Sequence, residues 1–189
     1  LKGTATFSAR WRRSHLDRIL RQDLLDLAGV RDLKAMEILV DLLADRVGSP
    51  ISFANLASDL EVSPHTVKRW VGLLEALFVV FVVTPRAKNI AKSILKEPKI
   101  YFYDTGRITC GTAARLENLV ALHLLKEVHF REDTLGTKGG LFYVRNKEKK
   151  EVDFLVEEDN AIRRLVEVKE RDPTLSQNQA LFARRLDVD

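Results

Sequence analysis

The sequence predicts an α/β protein in two parts: a helical unit closed by a two-stranded ribbon, then an α/β core with a small mixed sheet. Three observations carry this. Up to residue 76 the apolar residues recur at three- and four-residue steps, the period of a helix. Residues 78–83 and 99–103 are short runs rich in Val, Ile, Phe and Tyr, the composition of strands. Beyond residue 106 the pattern reads helix, strand, strand, strand, helix.

Residues 9–28 form the first expected helix, with Trp11, His15, Ile19, Leu20 and Leu24 on helical steps and Gly29 as its stop. A second covers 32–46, where Leu33, Met36, Leu39, Val40 and Leu43 make one stripe and Gly48 with Pro50 ends it. Ser52 is an N-cap for a short helix to residue 60. Ser63 followed by Pro64 starts another, running through 66–76, by a capping hydroxyl and a preset first helical residue. The few residues between these two force a sharp turn. Ala57 is small enough for close approach, and Val62, Val67 and Trp70 fill the space between the helices. Glu61 stands where a glycine often turns such a pair, at a cost of about 1 kcal/mol if the backbone there is left-handed.

Three helices followed by a two-stranded ribbon make a winged helix, with a helix-turn-helix inside it. The ribbon connection holds Arg86, Lys88, Lys92, Lys96 and Lys99 with one acid, Glu97. Beside a helix carrying His65, Thr66, Lys68 and Arg69, it is suited to gripping phosphates. The plainer reading is a packing module with ordinary solvated lysines. No Arg, Asn or Gln cluster for base edges stands out.

Composition sets outer limits. The chain has 189 residues, a net charge of +4 and 46% apolar residues, enough to bury a core. One cysteine, Cys110, excludes a disulfide framework and a cysteine-rich zinc site, and four scattered histidines offer no metal spacing. No apolar run reaches the ~18 residues of a membrane span, so the expectation is a cytoplasmic piece of a larger protein with no membrane partner.

In the second half, residues 112–128 read as a helix. Ala113, Glu117, Val120, Ala121, Leu124 and Val128 share a face, and Glu117 is its single carboxylate. Such a group needs a partner or a metal if buried, or reaches solvent or an arginine at the helix start. Gly136, Gly139 and Gly140 follow in a loop that lacks the phosphate-loop pattern. Strands are expected at 141–145, 151–156 and 162–169, with polar turns at 147–150 and 157–160. A last helix starts near Thr174 or Ser176 and carries Leu181, Phe182 and Leu186.

Strand alternation puts Val152, Phe154 and Val156 on one face, and Asp153 and Leu155 on the other. In the next strand Val166 and Val168 share a face, and Leu165, Glu167 and Lys169 share the opposite one. Asp153 is therefore expected beside Glu167 and Lys169, under the helix that carries Glu117. Three carboxylates beside one ammonium call for a hard divalent cation with oxygen ligands. Such an ion polarises a phosphoryl oxygen and activates a water for in-line attack, with the lysine steadying the developing charge. The competing reading is a polar sheet face with cross-strand ion pairs.

Glu117, Asp153 and Glu167-Val168-Lys169 resemble the active-site signature of the PD-(D/E)XK nuclease superfamily. More closely, the chain resembles the C-terminal region of prokaryotic AAA-type ATPases. The likeness rests on Lys99-Ile-Tyr-Phe-Tyr-Asp-Thr-Gly106, Leu116-Glu-Asn-Leu-Val-Ala121, Tyr143-Val-Arg145, Glu151-Val-Asp-Phe-Leu155, Val166-Glu-Val-Lys169 and the helix-turn-helix stretch. It implies a helical linker over 1–30 from an N-terminal, ATP-binding domain. It implies a winged-helix domain over 31–106 and a restriction-endonuclease-like domain over 107–189, with a closing strand beyond Asp189. It also implies Mg2+ or Mn2+ held by Asp153, Glu167 and the Val168 carbonyl, and completed by Glu117 directly or through water. Lys169 is then the catalytic lysine, and Arg145 contacts phosphate or braces Asp153. Two functions follow as expectations: a metal-dependent nuclease acting on DNA, or an inactive nucleic-acid- or protein-binding module regulating the ATPase, either possible as a homo-oligomer.

Overall fold

The computed structural model describes residues 33–86, 97–171 and 174–186, together with Phe7, Arg10, Trp11, Ser14 and Arg18. Those five positions apart, the expected helix at 9–28 and linker at 1–30 lie outside the described residues, as do Lys88, Lys92 and Lys96. The chain is a mixed α/β protein. Helices α1 (Leu33–Ala44), α2 (Phe53–Asp59) and α3 (Pro64–Ala76) precede strands β1 (Val80–Pro85) and β2 (Lys99–Phe102). A 3₁₀ turn (Thr105–Arg107) leads to α4 (Thr112–Leu135), then β3 (Gly139–Arg145), β4 (Glu151–Glu158), β5 (Ala161–Val166) and α5 (Gln177–Leu186). No described helix is long and apolar enough to cross a membrane.

The caps form where the sequence places them. The Ser52 hydroxyl accepts the Asn55 N–H at 3.4 Å, and the Ser63 hydroxyl accepts the Thr66 N–H at 3.0 Å with Pro64 in the first turn. Glu61 sits at φ +54 between α2 and α3, the left-handed backbone that a glycine adopts without strain. Glu61→Gly is therefore expected to stabilise the chain by about 0.5–1 kcal/mol, read as a higher urea midpoint at unchanged m-value.

The strands form one five-stranded sheet in the order β2-β1-β3-β4-β5. The β1–β2 ribbon is antiparallel, with Phe81 opposite Tyr101 and Val83 opposite Lys99. β1 also pairs in parallel with β3 at Thr84↔Phe142 and Pro85↔Tyr143, so the ribbon and the second-half strands share one sheet. β2 is an edge, and Asn118 of α4 closes part of it. The fully buried Asn118 side chain accepts the Phe102 N–H at 2.7 Å and donates to the Phe102 carbonyl at 2.8 Å.

Helices pack on both faces of the sheet. Ala121, Leu124 and Val128 of α4 join Leu141, Tyr143, Phe154 and Val156 in the main core, which also takes in α1, α3, β1 and β2. Phe182 of α5 packs with Val144, Val152 and Leu155 in a second cluster. This division corrects the expected faces of β4: Val152 lies with Leu155, not with Phe154. The cause is a β-bulge. Between the pairs Phe142↔Leu155 and Val144↔Val152, β3 advances two residues and β4 three. Asp153 and Phe154 thus stand together opposite Tyr143, and the alternation changes phase there.

Two boundaries differ from expectation, and the start of α5 agrees with it. α4 continues past residue 128 to Leu135 and stops at Gly136, in the left-handed region at φ +69. β5 ends at Val166, so residues 167–169 are not strand. α5 begins at Gln177, with the Ser176 hydroxyl accepting the Gln179 N–H at 3.0 Å.

Candidate carboxylate–lysine site

Four elements converge where α4 crosses the sheet. From β2 come Lys99 and Tyr101, two residues apart and so on one face. From α4 comes Glu117, in its second turn. From β4 come Glu151 and Asp153, and the bulge turns Asp153 towards this side of the sheet. From the turn after α1 comes the backbone of Gly48.

The Lys99 ammonium is the centre of the group. Its side chain is 1% exposed, and Nζ lies 2.7 Å from Glu151 Oε1, 3.4 Å from Glu117 Oε1 and 3.7 Å from Asp153 Oδ1. Nζ also lies 5.4 Å from the centre of the Tyr143 ring. Burial works against its charge, but Glu117, then Glu151 and Asp153, outweigh burial and hold its pKa above the ordinary lysine value. It remains an ammonium at neutral pH and is not a proton acceptor. Glu117 takes a second bond from the Tyr101 hydroxyl at 2.7 Å. Burial raises the Glu117 pKa and the Asp153 charge adds to this, while Lys99 and Tyr101 pull it back. Burial and Glu117 also push the Tyr101 phenol well up, so it stays protonated and donates. Arg145 reaches the same group through Glu151, Nη1 to Oε2 at 3.5 Å.

Gly48 sets the outer wall. It stands at φ +81, and a Cβ there would lie 2.7 Å from Glu117 Oε2 and 2.9 Å from both Cδ and Oε1. Only a glycine leaves room for the carboxylate.

The structure brings Glu117 and Asp153 together around Lys99, and Glu167 lies on the segment whose next residue, Val168, bonds Asp153. The Lys169 ammonium donates to the Thr174 carbonyl at 2.9 Å. Glu167 Oε2 is buried with no hydrogen-bond partner. The Val168 N–H donates to Asp153 Oδ2 at 2.8 Å. β5 ends at Val166, opposite Phe154, so Glu167 and Lys169 follow the strand rather than continue it.

A magnesium or manganese ion is implied by the nuclease resemblance; of the residues that would hold it, Glu117 and Asp153 face the Lys99 ammonium, and Glu167 keeps one buried oxygen without a partner. Glu117, Glu151 and Asp153 already face an ammonium, and their remaining contacts run to Tyr101, Arg145 and the Val168 amide. Among the described residues, no three His, Cys, Asp or Glu side chains are placed to hold a metal ion. Chemically, the arrangement balances one buried ammonium with three half-buried carboxylates.

The residues expected to meet nucleic acid divide in the same way. His65, Lys68 and Arg69 are exposed on α3, whereas the Thr66 hydroxyl is 2.9 Å from that of Ser63. Arg86 is engaged within the chain, its Nε 2.7 Å from Glu157 Oε2.

Tyr101, Glu151 and Gly48 were not among the expected site residues, and Lys99, expected on the phosphate-gripping ribbon, is instead buried. The signal for Lys99 and Tyr101 was present: a lysine two residues before a tyrosine on an apolar strand points to the same face as that tyrosine. Nothing local marks Gly48, whose role depends on Glu117, far along the chain.

Comparison with known proteins gives two family matches. A domain of unknown function, DUF8612, matches residues 2–118, and a second, DUF4143, matches residues 113–186. DUF4143 occurs in AAA-ATPase-associated proteins, consistent with the resemblance to an AAA-associated C-terminal region. Over 100 residues the chain is 39% identical to an uncharacterized protein of Mycobacterium tuberculosis and to one of Mycobacterium bovis, covering 52% of this chain and 22% of each relative. An uncharacterized protein of Haemophilus influenzae is 26% identical over 162 residues, covering 77% of this chain and 37% of the relative. The chain thus spans well under half the length of these relatives. No solved structure matches.

Proposed function

The chain belongs to the family of the domain of unknown function DUF8612, and from that premise we propose that it is a nuclease-like, nucleic-acid-binding module of an AAA-type ATPase that binds without cutting. One observation carries this reading: the Lys99 ammonium fills the space among Glu117, Glu151 and Asp153 where a hydrolytic metal would sit. A buried cation ringed by carboxylates ties β2, α4 and β4 together, and it offers neither a general base nor an open ligand position. The helices α1–α3 followed by the β1–β2 hairpin support a winged helix, with exposed His65, Lys68 and Arg69 on the helix that would meet phosphates. In the full-length protein the module would regulate the ATPase domain by its occupancy.

The test is plasmid cleavage with magnesium or manganese. The wild type is expected to leave the plasmid intact while shifting its mobility. Cleavage by the wild type that is lost in Asp153→Asn would overturn this reading. It would favour a metal-dependent phosphodiesterase, the alternative supported by the unpartnered buried oxygen of Glu167.

A further inference from the structure

The turn between β3 and β4 concentrates charge. Residues 145–150 read Arg-Asn-Lys-Glu-Lys-Lys, four cations and one carboxylate, for a net +3. The whole chain carries +4, which leaves +1 for the remainder. Lys147, Lys149 and Lys150 are exposed. Among the described residues no carboxylate lies within ion-pair distance of Lys147 or Lys149. Lys150 is 3.8 Å from Glu148, with both side chains at the surface, where such a pair is weak.

The turn holds these cations on a fixed frame. The Asn146 N–H donates to the Lys150 carbonyl at 3.0 Å, the Lys149 N–H to the Asn146 carbonyl at 3.2 Å, and the Lys150 N–H to Asn146 Oδ1 at 3.0 Å. Lys149 takes the left-handed backbone, φ +62, that closes the turn. At its base Arg145 is anchored through Glu151 to Lys99. A rigid, cationic tip thus projects from the strand that carries Asp153.

We propose that the β3–β4 hairpin grips the phosphate backbone of double-helical nucleic acid, independently of sequence. The proposal rests on the nucleic-acid-binding reading above and locates the contact. The tip carries no aromatic side chain on which unpaired bases would stack, which favours a duplex over a single strand. It carries no apolar side chain to enter a lipid surface, which disfavours a membrane. Of the base-reading side chains, Arg145 is paired with Glu151 and Asn146 has its Oδ1 held in the turn and its Nδ2 buried, so three lysines make the contact one of charge.

The experiment is binding of a short mixed-sequence DNA duplex, followed by fluorescence anisotropy across a salt series, for the wild type and for the triple variant Lys147→Gln, Lys149→Gln, Lys150→Gln. These side chains are exposed, and unchanged circular dichroism checks the fold. Loss of three phosphate contacts is expected to reduce the slope of log K against log salt by about 2 to 3. Binding by the wild type with an unchanged slope in the variant would remove the hairpin from the footprint and leave the broader reading intact. No duplex binding by the wild type would defeat both. Tighter binding to a single strand, or to anionic lipid vesicles in preference to the duplex, would overturn the assignment of the partner.

Discussion

Lys99→Met is expected to destabilise the folded chain by about 3–5 kcal/mol, the scale for removing one member of a buried ionic group, and it has the largest effect anticipated for any single substitution. The methionine fills the volume but leaves Glu117, Glu151 and Asp153 facing one another without the charge that offsets them. The direction with pH follows. Burial already raises the Glu117 pKa and Lys99 helps to pull it back, so without Lys99 Glu117 titrates higher still in the folded chain. Stability conferred by protonating Glu117 is then present below its unfolded pKa and lost as pH rises through the folded value. The deficit of the variant should therefore shrink as the solution is acidified from neutrality towards pH 4.5, the ordinary value for Glu117. The wild type loses stability in the same direction at the alkaline end. Because the Lys99 pKa is raised, its contribution is fully present below 10.5 and is lost as pH rises from there through the higher folded value. Urea unfolding at a series of pH values measures both. A deficit that is constant with pH would mean that lost packing, not exposed charge, dominates.

Gly48→Ala is the second large effect, at about 2–5 kcal/mol from left-handed strain together with overpacking. The two contributions are separable. A Cβ at this position meets three atoms of the Glu117 carboxylate, whereas φ +81 penalises any L side chain regardless of space. In a Glu117→Ala background the collision disappears and the strain of about 1–2 kcal/mol remains. A double-mutant cycle is then expected to return a coupling of at least 1 kcal/mol. Additivity of the two substitutions would show that the turn after α1 yields to the carboxylate and is not its wall.

The contrast between Ser63-Pro64 and Lys99 explains what the sequence makes legible. A cap is a local bargain between a hydroxyl and an amide three residues on, so Ser52 and Ser63 can be read from spacing alone. The pairing order helix, strand, strand, strand, helix is legible for the same reason. Lys99 heads an apolar strand and reads as one more surface cation beside Arg86 and Lys96. Its burial depends on Glu117, Glu151 and Asp153, none of them near it in sequence. The register of Asp153 was lost to the bulge, which alternation cannot anticipate. The three successive apolar residues at 154–156 were the visible sign that a strict period of two would fail there. Lys169 illustrates the converse: Val-Glu-Val-Lys is persuasive as a strand, yet the strand ends before its last three residues.

The seal that Asn118 places on Phe102 bears on how this protein behaves in company. An unprotected strand border is a template on which a stray chain can extend a ladder, the first event in fibril growth. At Phe102 the donor and the acceptor are both occupied by a side chain from the same molecule, and at Pro98 the carbonyl is taken by the Ile51 amide at 2.8 Å. Both ends of the β2 flank are thereby closed to recruitment, which shortens the border that a stray chain could extend.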